Sequence, residues 1–185
     1  MTKVGFICEG RTEKMIVESP DFQQFLKSAG IACIPDIIDA GGNGNLLPKY
    51  LSAFTNRLIA KGAERIIILT DLDKDVCITL TKQRISAPDN HVVIVAVKQV
   101  EAWFLADSYC MSALCKTRVN VPDPEAVINP FDEIRSLLLK HTGRGSSDKL
   151  LLAAACMRNG FSMTKAANHT NCNSAKYFIE KLETL

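Results

Sequence analysis

The chain has 185 residues, which is enough for one well-buried core, and this length does not require a second full domain. A net charge of +2, from 22 basic and 20 acidic side chains, excludes a strongly cationic nucleic-acid binder but leaves a local basic patch open. Seven cysteines without a CxxC pair fit reduced thiols better than a disulfide framework. The sequence shows no apolar run of signal-peptide or membrane-spanning type, so we expect a cytoplasmic protein without membrane contact.

Along the first hundred residues, apolar runs typical of strands alternate with stretches that have helical spacing. The predicted strands are 4–8, 31–38, 65–70 and 91–97. The predicted helices are 12–28 with a break at Pro20, 46–61 and 76–85, with a glycine turn at 41–44. Strands that alternate with helices indicate an α/β fold with a parallel sheet.

After residue 100 the pattern becomes helical and no strand signal returns. The predicted helices are 101–114, 130–140, 146–157 and 174–182, with Ser146 or Ser147 as the cap of the third. The sequence therefore predicts an α/β core over 1–100 and a helical appendage over 101–185 that packs on the core.

An acidic segment follows the predicted strand 65–70: Asp71, Asp73 and Asp75 lie within five residues. Residues two apart on an extended chain point to the same side, so Asp71 and Asp73 are expected to converge if the strand continues. Two such carboxylates repel each other unless a proton or cation lies between them, and Mg²⁺ is the simplest ion. Glu9 ends the first predicted strand, so if the two strands are neighbours, three carboxylates share one crevice.

Two short motifs carry a family resemblance. The segment FICEG at 6–10 and the segment LTDLD at 69–73 resemble the Toprim domain of topoisomerases, primases and overcoming-lysogenization-defect (OLD) nucleases. Together with CEGRTE at 8–13 and VEAWFLAD at 100–107, they also resemble an uncharacterised prokaryotic Toprim-like family, domain of unknown function 4276. The resemblance implies a Toprim-like three-layer sandwich with a mainly parallel four-stranded sheet.

The resemblance also implies a chemistry. It predicts a Mg²⁺-dependent phosphoryl-transfer site, with Mn²⁺ as an alternative ion, in a nuclease that acts on DNA or RNA in prokaryotic defence. Glu9 takes the position of the general acid or base and is also a candidate metal ligand, while Asp71 and Asp73 are metal ligands. Asp75 is a further candidate ligand, with a turn or helix cap as the alternative. The glycine that commonly follows such motifs is absent here.

Two residues of the helical half are additional candidates for catalysis. Glu101 follows the fourth predicted strand and is expected at the edge of the sheet that carries the metal. Its alternative is an exposed or capping acid on an amphipathic helix in which Trp103 packs. Lys149 is a candidate for stabilising transition-state charge. Lys149, Arg144 and Arg158 are also candidates for contacting a phosphate backbone. The alternative is that these cations lie on a solvated helix face.

Two further segments allow a functional and a structural interpretation. The amides of the glycine turn at 41–44 are candidates for a phosphate site, but a plain turn is favoured because the spacing matches neither known phosphate-binding glycine motif. Glu13 suits the first turn of a helix better than a ligand role.

Two other functions compete with the nuclease. One is a non-catalytic metal- or nucleic-acid-binding regulatory module. The other is a haloacid-dehalogenase-like phosphatase, because Asp71 and Asp73 match a nucleophile and acid two residues apart, although that motif normally ends the first strand. The sequence leaves open whether cleavage requires a partner ATPase, and which oligomeric state the chain adopts.

Overall fold

The structure is a computed structural model that describes residues 1–73, 75–88 and 90–185. The chain divides into two compact units: a first unit of Met1–Val95 with Leu182–Leu185, and a second unit of Ala96–Lys181. The predicted packing of the helical part on the α/β core stays a prediction. In the described ranges, no helix has the length and apolar character needed to cross a membrane.

A parallel β-sheet forms the centre of the first unit. In the described part of the chain its strands are β1 (Thr2–Cys8), β2 (Ile31–Cys33), β3 (Ile38–Asp39), β4 (Arg65–Asp71) and β5 (His91–Ala96). The order across the sheet is β2-β1-β4-β5, and β3 also pairs with β1. β1 pairs in parallel with β2, β3 and β4. The prediction of an α/β fold with a mainly parallel sheet is confirmed.

The prediction of one continuous strand over 31–38 was wrong, because the structure divides this segment into β2 and β3. Pro35 lies between the two strands and has no backbone N–H to donate to a sheet. The next residue, Asp36, accepts hydrogen bonds from Arg57, and Lys61 approaches it to 2.8 Å. The chain therefore leaves the edge of β1 after Ile34 and rejoins it at Ile38.

Helices cover both faces of the sheet, as a three-layer sandwich requires. They are α1 (Arg11–Glu18), α2 (Pro20–Ser28), α3 (Pro48–Ala60) and α4 (Ile78–Ile85), with a short 3₁₀ helix at Asn43–Leu46. Phe6 of β1 packs edge-on against Phe22 of α2, with ring centroids 6.2 Å apart. On the opposite face, Gly5 lets α3 approach closely, since a Cβ there would lie 2.9 Å from Leu58 Cδ1.

The second unit is helical throughout its described elements. They are α5 (Glu101–Ala106), α6 (Ser108–Cys115), a 3₁₀ helix at Pro124–Ala126, α7 (Pro130–Thr142), α8 (Lys149–Arg158), α9 (Met163–Ala167) and α10 (Asn173–Glu183), whose last two residues are assigned to the first unit. The predicted helix 101–114 is broken at Asp107, whose carboxylate caps α6. The cap of α8 is Asp148, so the prediction of Ser146 or Ser147 was wrong. Helix α9 was not predicted.

Trp103 and Asp107 organise the core of the second unit. Trp103 is fully buried, stacks on Phe178 with a centroid separation of 5.6 Å, and donates from Nε1 to Ser174 Oγ at 2.8 Å. Asp107 Oδ2 accepts a hydrogen bond from the backbone N–H of Ser162 at 2.9 Å, which connects α5 to the start of α9. These contacts confirm that Trp103 packs in a core.

Candidate functional site

The carboxyl ends of β1 and β4 are direct neighbours. Cys8 lies opposite Leu69 in the register of the two strands, and the Glu9 N–H donates to the Leu69 carbonyl at 2.8 Å. Glu9 directly follows β1 and Asp71 ends β4, so the two residues lie at the same edge of the sheet on adjacent parallel strands. The expectation that these carboxylates share one crevice required the two strands to be neighbours, and they are neighbours in the structure.

The Glu9 carboxylate is held by two donors from β4. Its Oε2 atom accepts hydrogen bonds from the hydroxyl of Thr70 and from the backbone N–H of Asp71, the latter at 3.2 Å. Thr70 is fully buried, so water does not compete for its hydroxyl. Oε1 of Glu9 accepts no hydrogen bond from the described residues. This arrangement fixes one carboxylate oxygen and leaves the other for a further ligand or proton.

Sequence reasoning missed Thr70 as part of this site. A threonine has high β propensity, so at the end of an aliphatic strand it was assigned only to the strand. The available signal was a hydroxyl placed one residue before the acidic pair, where an adjacent strand also ends in an acid.

Asp71 and Asp73 differ in backbone and exposure. Asp71 is the last residue of β4 and is 8 % exposed, whereas Asp73 is exposed and has a left-handed backbone with φ of 47°. Aspartate tolerates that conformation better than most residues. Because the extended chain ends at Asp71, strand alternation no longer determines where Asp73 points, and the condition for their predicted convergence is not met. A ligand role for Asp73 stays a prediction.

Asp75 faces the following helix. Its Oδ2 atom accepts hydrogen bonds from Thr81 Oγ1 at 2.8 Å and from Arg84 Nη2 at 3.1 Å. These donors, with Thr81 the larger influence, lower the pKa of Asp75 below its usual value. The contacts favour the structural alternative for Asp75, and a ligand role for it stays a prediction.

Glu13 closes the start of α1. Its Oε2 atom accepts a hydrogen bond from the Gly10 N–H at 3.2 Å, which is the half of a capping box that a glycine cap allows. A side chain at Gly10 would place a Cβ 3.3 Å from that same oxygen. The structural interpretation of Glu13, as an acid in the first turn of a helix, is the one that these contacts favour.

The glycine turn at 41–44 lies at the same edge of the sheet as Glu9. The Gly42 N–H donates to the Glu9 carbonyl at 2.8 Å, and the Gly41 N–H donates to Asp39 Oδ1 at 2.9 Å. Both amides are engaged within the chain, so the plain turn fits better than a phosphate cradle. Asp39 ends β3 opposite Cys8 and adds another carboxylate to this edge. It was not predicted, because the split of the strand 31–38 was not foreseen.

Glu101 and Lys149 are paired with each other in the second unit. Lys149 Nζ lies 3.6 Å from Glu101 Oε1, and also 5.8 Å from the centre of the Phe131 ring. The side chain of Glu101 is 2 % exposed and that of Lys149 is 44 % exposed. The structure therefore buries Glu101 and pairs it with a partly exposed lysine, so Glu101 does not lie at a solvated surface. The catalytic roles of both residues stay predictions.

The residues at the strand ends fit a magnesium ion that keeps part of its water shell. Glu9 and Asp71 offer hard oxygen ligands, and Mg²⁺ is commonly held by one or two carboxylates, with waters and substrate phosphates completing its coordination. Among the described residues, no three His, Cys, Asp or Glu side chains are grouped closely enough to form a metal cage. Binding of Mg²⁺ by these carboxylates stays a prediction.

Comparisons with known proteins give one structural similarity. No protein-family profile matches the chain, and no curated protein does. Among solved structures, the chain is similar to the C-terminal region of the Burkholderia pseudomallei OLD protein, with 14 % identity over 99 % of each chain and a TM-score of 0.47. A similarity this weak supports no conclusion about function, and the resemblance to domain of unknown function 4276 stays a prediction.

Proposed function

We propose that this protein is a Mg²⁺-dependent phosphoryl-transfer enzyme, a Toprim-like nuclease that cleaves DNA or RNA in prokaryotic defence. The observation that carries the proposal is the junction of β1 and β4, where the Glu9 carboxylate accepts hydrogen bonds from Thr70 and from the Asp71 backbone. Acidic residues on two adjacent strand ends are a suitable arrangement for a hard cation beside a phosphate.

The residues at this junction have distinct proposed tasks. Asp71 and Asp73 hold the ion, which when bound stabilises the charge that develops on the phosphate and acidifies an attacking water. Glu9 contributes its free oxygen, Oε1, as a ligand or as the group that moves the proton. Thr70 and the Asp71 N–H keep the Glu9 carboxylate in place, so that it needs no reorientation during the reaction.

A cleavage assay tests the proposal. The wild-type protein is incubated with single-stranded and duplex DNA and RNA in Mg²⁺, Mn²⁺ or EDTA, beside the Glu9→Gln and Asp71→Asn variants. Asp21→Asn is the matched control, because Asp21 is an exposed acid in the first turn of α2. We expect metal-dependent cleavage by the wild type and by the control, and a loss of about 100-fold or more in each site variant. Cleavage that persists in both site variants would contradict the assignment.

The competing functions are distinguished by the same proteins in cleavage, metal-binding and phosphatase assays. Metal binding without turnover on any nucleic acid would favour the regulatory module. Release of phosphate from a small phosphomonoester, with a trapped aspartyl-phosphate at Asp71, would select the phosphatase instead. Cleavage by the wild-type chain alone would also show that no partner ATPase is required.

A further inference from the structure

The second unit contains a cavity of about 750 Å³ that lies outside the junction of β1 and β4. Residues at the ends of α6, α7 and α8 line it, and four of these are basic: Lys116, His141, Arg144 and Arg158. The described lining residues include no aspartate or glutamate. We call this cavity the basic groove.

Three permanent cations of the basic groove are open to solvent. Lys116, Arg144 and Arg158 are all exposed, and none forms an ion pair with a residue in the described part of the chain. Like charges near one another raise the free energy of the protein unless an anion is present. The groove therefore has the charge and the accessibility of an anion site.

The lining also limits which anion fits. The described lining residues contain no Phe, Tyr or Trp, so the groove lacks the stacking platforms on which single-stranded nucleic acids and free nucleotides rest their bases. Cations without base contacts are typical of surfaces that bind a phosphate backbone, where register and affinity come from the phosphates alone.

We propose that the basic groove binds the phosphate backbone of duplex nucleic acid through Lys116, Arg144 and Arg158. The inference deepens the proposed function, on which it rests, by naming the surface that holds the substrate and its double-stranded form. Arginine suits this task because its planar guanidinium donates two parallel hydrogen bonds to one phosphate.

Helix-end stabilisation is the competing explanation for these cations. Lys116 directly follows α6, Arg158 ends α8, and Arg144 follows the Gly143 cap of α7, so each lies where a positive charge offsets the helix dipole. Lys140 provides a matched control. It lies in the last turn of α7, is exposed, and does not line the groove. On the competing explanation, reversing Lys140 has the same consequences as reversing Arg144.

The experiment measures binding of a fluorescent DNA duplex by anisotropy in EDTA, so that no metal-dependent cleavage occurs. The proteins are wild type, Arg144→Glu, Arg158→Glu, Arg158→Lys and Lys140→Glu, with thermal unfolding as a check of folding. We expect a loss of roughly tenfold in affinity for each arginine reversal, and less than about twofold for Lys140→Glu. Across roughly 50 to 200 mM salt, each arginine reversal should also reduce the slope of log affinity against log salt by about one. Arg158→Lys keeps the charge but loses the planar guanidinium, so it should lose less affinity than Arg158→Glu does.

Several results would overturn the inference. They are failure of the wild type to bind duplex DNA, unchanged affinity in both Arg144→Glu and Arg158→Glu, or a loss in Lys140→Glu equal to that in the two arginine reversals. Tighter binding of inorganic pyrophosphate than of duplex DNA would also overturn it, because it would identify a small-phosphate site.

The result of this binding experiment can be distinguished from the result of the cleavage assay that tests the proposed function. Groove-dependent binding without cleavage in Mg²⁺ would reject the nuclease and keep the groove. Cleavage with unchanged binding in the arginine variants would reject the groove and keep the nuclease.

Discussion

Replacing Thr70 by valine tests the structural basis of the candidate site most simply. Valine has nearly the same shape and also favours strands, so the change removes a hydroxyl donor with little disturbance of β4. Thr70 is fully buried, and its hydroxyl donates to Glu9 Oε2. After the substitution, that oxygen retains only the Asp71 N–H at 3.2 Å.

The magnitude follows from the nature of this hydrogen bond. A hydrogen bond to a charged group contributes about 1.5–3 kcal/mol to stability. Because Glu9 is half-buried and keeps a second donor, we take the lower end, a loss of about 1.5 kcal/mol. For a protein of this length such a loss lowers the melting temperature by about 3–6 °C. If Glu9 moves the proton, catalysis should also fall, because its carboxylate is no longer held in place.

A double-mutant cycle with Glu9→Ala measures this interaction. Urea unfolding of the wild type, both single variants and the double variant is followed by far-UV circular dichroism. Trp103 is the single tryptophan of the chain and lies in the second unit, so its fluorescence spectrum in the absence of urea should be the same in all four proteins and checks that the native fold is retained there. We expect a coupling energy of about 1 kcal/mol or more between Thr70 and Glu9. Additivity within about 0.5 kcal/mol would refute the reasoning.

Three further predictions concern stability. Gly5→Ala should lower the free energy of unfolding by about 1–2 kcal/mol in urea titrations, because the new Cβ meets buried Leu58 at 2.9 Å. Lys149→Met should cost about 1–2 kcal/mol by the same measurement, since it leaves Glu101 buried without its cation, a penalty reduced by the partial exposure of the lysine. The lowered pKa of Asp75 means that its contacts stabilise the fold above its usual pKa of 3.8 and are lost as the pH falls through the lowered value. Asp75→Asn should therefore remove part of the stability loss seen in acid, in unfolding curves collected from about pH 2 to 7.

The sheet and its order of elements were largely predictable from the sequence. Continuous aliphatic runs such as that of β4 are typical of buried parallel strands, and Pro20 marked the break between α1 and α2. The errors occurred where tertiary contacts decide the local conformation. The segment 31–38 reads as one apolar strand, but Pro35 and the contacts of Asp36 with α3 divide it.

The helical half was less predictable because its boundaries depend on caps. Asp107 interrupts an otherwise continuous apolar pattern by binding the first N–H groups of α6 with its carboxylate. Helix α9 has only five residues, too few for a helical period to be visible in the sequence. Its position depends on the contact between Asp107 and Ser162, which lies far away in the sequence.

The sequence was sufficient to predict which strand ends carry the candidate site, but not the hydrogen bonds and backbone conformation within it. Glu9 and Asp71 followed from the rule that functional groups gather at the carboxyl edge of a parallel sheet. The hydroxyl of Thr70 and the left-handed backbone of Asp73 did not follow, because both depend on the exact residue at which β4 ends. The partners of Asp75 lie on α4, and the sequence gives no sign that this carboxylate turns toward them.

The most direct test of the central claim is a titration of Mn²⁺ followed by electron paramagnetic resonance, with Mg²⁺ as competitor. We expect that the wild type binds Mn²⁺ and that Mg²⁺ displaces it. Glu9→Gln and Asp71→Asn should each weaken binding by about tenfold or more, whereas Asp21→Asn should bind as the wild type does. Equal affinity in the wild type and both site variants would contradict the claim that the ends of β1 and β4 form a metal site.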